Sequence, residues 1–181
     1  RIRQTAAMVF PVMLKGGLTD PAGCGVAQVL KVRLIHATIR HLILHGNPAD
    51  VARSVPAAGV TATDMQSALM AHGWDVDAGG LPCSQMELAY TLLTFSHVFL
   101  RSLRRLGIGL PRADEEAYLH AWNVVGHVLG VQDTLMAWHY DDATDLFARM
   151  RAVGCAQAAL PDVRPPLGQA LVQAMASTIR V

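Results

Sequence analysis

The sequence predicts an all-α fold, a single domain of about seven helices. Three observations predict it. Apolar residues recur at intervals of three and four through most of the chain, the period of a helix with one buried face. No stretch alternates apolar and polar residues as a half-buried strand does. Glycine, proline and capping residues fall between the periodic stretches and divide them into rods. The 181 residues suit one domain with a sizeable core.

The elements follow in order. Residues 1–14 read as a first helix, interrupted at Pro11. The stretch 15–25, rich in Gly and Pro, is a loop. A helix runs from Val26 to His45 and stops at Gly46, with Pro48 just beyond. A short turn over 48–54 and a short helix over 63–73 come next, the latter with Thr63 as N-cap and Gln66 three residues on. Residues 75–82 form a loop. The clearest helix spans 84–107. Ser84 and Glu87 form a capping box, Arg101, Arg104 and Arg105 suit the negative end of the dipole, and Gly107 ends it. In the 111–130 helix Asp114, Glu115 and Glu116 read as a solvated first turn, with Gly130 at the end. Gly126 inside it costs about 1 kcal/mol against Ala, so it marks close approach of another helix or of a cofactor. Helices over 143–154 and 168–181 complete the chain.

Composition narrows the function. Apolar residues make up 52% and charged residues 16%, with a net charge of +1. A nucleic-acid binder would carry a basic face or stripe, so nucleic acid is not an expected partner. No run of about 18 uncharged apolar residues stands in the chain, so no transmembrane helix is expected. The first residue is Arg1, which fits a piece of a longer chain, and a cytoplasmic location is the working expectation. Cys24, Cys83 and Cys155 are far apart, with no CxxC, and read as unpaired thiols in or near the core.

The stretch "KVRLIHATIRHLILHG", residues 31–46, holds the first chemistry. Positions 33, 36, 40 and 43 share a helix face, and the surrounding residues are apolar enough for a largely buried rod. A buried guanidinium needs an anion or a route to water. No Asp or Glu lies between residues 21 and 49, so Arg33 and Arg40 find partners elsewhere in the fold or on a ligand with carboxylates or phosphates, or they snorkel to the surface. His41 and His45 lie four apart, without the Glu of an HExxH metal site. His97 stands in the apolar middle of the 84–107 helix. There it is a hydrogen-bonded core histidine, or an axial ligand to haem iron. Two facing helices, one with His36 and one with His97, would clasp a flat cofactor. His120 and His127, seven apart, read as packing and structural hydrogen bonding. There is no P-loop, GxSxG or dinucleotide fingerprint.

Three segments in order, "KVRLIHATIRHLILHG", "ELAYTLLTFSHVFLRSLRRLGIGL" and "EAYLHAWNVVGHVLGV", resemble the rubber oxygenase (latex-clearing protein) superfamily, which includes the ER-bound oxygenase of mycophenolic acid biosynthesis. The likeness covers most of residues 1–135. It implies a globin-like helical core holding haem b, and dioxygen-dependent cleavage of an apolar, unsaturated, isoprenoid-like substrate. It implies the 27–45 helix on the distal side and the 84–107 helix on the proximal side, with His97 near the family's iron ligand and Arg33 at its distal Arg. His36 stands where the rubber oxygenases carry a Lys, Ala37 where they carry a Thr, and no acidic residue just before Arg33 matches their Glu. His36 then either ligates iron or donates to bound oxygen, with Arg33 and Arg40 on propionates or oxygen. Two other classes remain: a non-haem metalloenzyme using His36, His97 and a third ligand such as His120 or His127, and a cofactor-free helical binding domain.

Overall fold

The computed structural model describes residues 9–20, 23–45, 76–156 and 164–177. These residues are helical or loop, with no strand among them. Helix α1 spans Cys24–His45, α2 Gln85–Leu93, α3 Phe99–Arg105, α4 Arg112–Leu129, α5 Tyr140–Ala156 and α6 Arg164–Ala176. Residues 9–13 are helical, and one turn forms at Val76–Gly79. The expected turn over 48–54 and helix over 63–73 lie outside the described residues.

The capping box forms as the sequence predicts. The Glu87 amide donates to Ser84 Oγ at 3.3 Å, and the Ser84 amide donates to Glu87 Oε2 at 2.7 Å. Gly130 caps α4 in the left-handed region at φ 88°, which frees the chain to turn sharply. The Gln85 side chain then ties α2 to that turn: its amide donates to Gly130 O at 2.8 Å and accepts from the Gln132 amide at 2.9 Å.

The expected single helix over 84–107 runs unbroken from Gln85 to Arg105 but is not regular. Between α2 and α3 the chain makes a π turn at Thr94–Val98. Thr94 Oγ1 donates to Tyr90 O, Ser96 Oγ to Leu92 O and Ser102 Oγ to Val98 O, so hydroxyls bond the ladder's own carbonyls along this stretch. Such back-bonding loosens and bends a helix.

The core lies where α2, the π turn, α4 and α5 meet. Leu100, Leu119, Ala89 and Ala143 are fully enclosed there. A fully buried Leu contributes about 1.5–3 kcal/mol. Asn123 Nδ2 donates to Ala137 O at 2.8 Å and draws the 131–139 segment onto α4.

Three expectations are corrected. Glu115 is not part of a solvated helix end: it is 1% exposed and accepts a two-pronged hydrogen bond from Arg104. The cost of an unpaired buried carboxylate explains the pairing. Helix α1 is not largely buried: only Gly25 and Val29 are, and Leu30 and Leu34 stand outside at 51% and 67% exposure. Cys24 and Cys155 are exposed, and only Cys83 is half-buried; all three are free thiols.

Candidate active site

Helix α1 lies across α4, and between them and α2 is a cavity of about 550 Å³. That volume is in the range of small-molecule sites. One stripe of α1 lines it: Val29, Val32, His36, Ile39 and Ile43. Their spacing of three and four puts them on one side of the rod, with the histidine at the centre. Leu88, Thr91 and Leu92 of α2 and Phe95 of the π turn form the opposite wall. Trp122, Val125 and Leu129 of α4 close the floor, where Phe95 and Trp122 stack with centroids 5.4 Å apart. The cavity leaves this stripe of α1 over open space rather than over packed side chains.

His36 is the cavity's imidazole. Its Nδ1 is buried and has no hydrogen-bond partner. Burial first, and the nearby Arg40 charge second, hold its pKa below the ordinary value, so the ring is neutral at pH 7. A neutral imidazole is the form that bonds a metal. The Trp122 indole N–H, buried on the same cavity, makes no well-formed hydrogen bond, although it interacts with the Tyr118 hydroxyl. Orphaned polar atoms beside a cavity are what a ligand would satisfy.

The two arginines flank this stripe rather than line it. Arg33 Nη1 donates to Val128 O at 2.6 Å. Arg40 Nε donates to Pro82 O at 3.1 Å and its Nη2 to Cys83 O at 2.6 Å. Both guanidiniums are thus spent on main-chain carbonyls. Arg40 clamps the 82–83 loop, where Cys83 holds a left-handed φ of 53°, uncommon for a residue with a side chain. Pro82 and Cys83 in turn line the cavity. Burial pushes the Cys83 thiol above its usual pKa, so the wall there is uncharged.

His97 lies elsewhere. It is 0% exposed, and neither ring nitrogen has a hydrogen-bond partner. Its ring faces α5, with Tyr140 at 5.0 Å and Phe147 at 5.8 Å between centroids, and it is not among the residues lining the cavity. Burial, then Arg101 and Arg104, holds its pKa below the ordinary value. Arg104 itself lies 3.7 Å over the Tyr140 ring while paired with Glu115. His36 and His97 are therefore not brought to one cavity. His120 is exposed and sits by Trp138, and His127 is exposed beside Asp133. Among the described residues no three His, Cys, Asp or Glu side chains gather into a metal site, so the non-haem set of His36, His97 and His120 or His127 does not assemble.

Sequence reasoning missed the cavity stripe at 29, 32 and 39, because valine and isoleucine carry no chemical signal. It also missed Phe95, Trp122 and Cys83 as wall residues. The three-and-four spacing about His36 could have found the α1 residues; Phe95, Trp122 and Cys83 lie on other elements and gave no such signal.

The sequence model of the ER-bound oxygenase mpaB/B'/rubber oxygenase catalytic domain matches residues 1–180. The chain belongs to this family. It is also 30% identical over 147 residues to the rubber oxygenase of Streptomyces sp. (strain K30), which covers 79% of this chain and 29% of that relative. The chain thus spans less than a third of the curated relative's length. No solved structure matches it. All the residues that build the cavity lie within the family's catalytic-domain match. No described helix is long and apolar enough to cross a membrane.

Proposed function

We propose that the chain is the helical core of a haem b-dependent oxygenase acting with dioxygen on an apolar, unsaturated, isoprenoid-like molecule. The observation that carries this reading is the His36 imidazole, neutral and with an orphaned nitrogen, at the centre of an apolar cavity. The residues fit the group at the iron and at the apolar macrocycle. His36 would hold the iron. When bound, haem would supply the activation of dioxygen. The valine, isoleucine and leucine walls exclude water and accept a hydrocarbon substrate. Arg40 fixes the 82–83 wall, and its charge adds to burial in holding the His36 pKa below the ordinary value.

An absorption spectrum of the chain with haemin, oxidised and then reduced, tests this. We expect a Soret band that His36→Ala abolishes or shifts and that His97→Ala leaves in place. A band lost only in His97→Ala would move the iron to His97 and require α5 to repack around it. A chain that stays colourless overturns the haem reading.

One observation favours a second reading. Among the described residues no cation lines the cavity to meet two propionates, since Arg33 and Arg40 are bonded to carbonyls. That suits a neutral apolar ligand held without haem, in a helical binding domain.

A further inference from the structure

We infer that Gly126 sets the size of the ligand the cavity accepts, through Leu92. The inference rests on the cavity being the ligand site and holds for any apolar occupant. Gly126 is buried in the last turn of α4, still inside the helix, where glycine is a poor residue and needs a reason. The reason is contact. A Cβ at position 126 would lie 2.7 Å from Leu92 Cδ2 and 3.1 Å from Met136 Sδ. The first of these is far inside van der Waals contact, so the Leu92 methyl must move.

Its direction is set by what surrounds it. Leu92 has Gly126 behind it and the cavity in front, and it is itself a wall residue. Its core neighbours Ala89, Leu93 and Val125 are buried and packed. The cavity gives Leu92 open volume on one side, so a side chain at 126 would drive the Leu92 methyl inwards. Residue 126 touches no ligand: it is a positioning residue that determines how far the wall projects. A pocket that loses one methylene of depth rejects its longest ligand by about tenfold or more, and shorter ligands much less.

The test uses the 181-residue chain without added haem and a series of straight-chain 1-alkanols from hexanol to dodecanol, with affinity read by calorimetry and thermal shift. In the wild type we expect affinity to rise with chain length and then stop at a cutoff. Gly126→Ala should move that cutoff to a shorter alkanol and weaken the longest wild-type ligand about tenfold. Leu92→Ala should lengthen the cutoff, and Leu92→Ala combined with Gly126→Ala should restore the long ligands. Leu92→Ala alone carries the test if Gly126→Ala does not fold. A graded wild-type series with an unchanged cutoff in these variants overturns the role of residues 126 and 92 while leaving the cavity reading standing. A wild type that binds no alkanol overturns the cavity reading and the inference with it.

Discussion

The π turn and its flanking helices separate two histidines with opposite surroundings. On the α1 side His36 meets an open apolar cavity, its walls aliphatic and aromatic and its neighbouring guanidiniums turned away to carbonyls. On the α5 side His97 is fully enclosed among aromatic rings, near the half-buried pair of Arg104 and Glu115. Both rings are kept neutral by burial and by arginines. The difference is room. An orphaned nitrogen beside a cavity can be satisfied by a ligand, and one in a packed interior only raises the energy of the fold.

The largest expected effect comes from emptying the packed side. His97→Ala should lose about 3 kcal/mol in urea unfolding, since it leaves a hole among Leu100, Tyr140 and Phe147. His97→Phe removes two unsatisfied nitrogens but is larger than histidine, so the two effects offset and stability should change by less than about 1 kcal/mol. A loss with Phe as large as with Ala would mean that the imidazole nitrogens have a partner, and the contrast with His36 would collapse. Next in size is the ion pair. Glu115→Gln should cost about 2 kcal/mol in the same measurement, between the values for exposed and fully buried pairs, because Glu115 is enclosed and the Arg104 side chain is 47% exposed.

The smallest effect is the pH dependence. The folded pKa of His97 lies below the ordinary 6.5. The unfolded chain therefore binds the proton more readily than the folded one. The stability this neutral ring contributes is complete above pH 6.5 and is lost as pH falls through the folded pKa. His36 adds to the slope with the same sign. Thermal scans between pH 7.5 and about 5 should show a falling midpoint that His97→Phe makes shallower. An unchanged slope in that variant would assign the effect to other groups.

Much of the frame was legible in the sequence. Ser84 and Glu87 form the predicted capping box, Gly130 ends α4, and Gly126 marks close approach. These signals are local, and a local rule suffices for them. The π turn was not legible, because an apolar period of three and four continues through it while the carbonyl ladder changes partner. Nor was the burial of Glu115, whose partner Arg104 lies on another helix. Arg33 and Arg40 invited an anionic ligand because no acid lies near them in the chain, but the partners proved to be carbonyls, which every residue carries. Finding His36 needed only its type and place. Telling its face from that of His97 needed the fold.

The π turn at Thr94–Val98 also sets a phase. An α-helix advances about 100° per residue. Deleting one residue from this turn would let α2 and α3 join as a regular helix, with its main-chain hydrogen bonds intact. The wider turn absorbs the extra residue, so the residues on either side would keep their directions: Leu92 would still face the cavity and Arg104 would still meet Glu115. Straightening the turn with every residue kept would instead rotate all that follows by about 100° and swing Arg104 away from Glu115. The turn is a splice that lets one rod serve two partners.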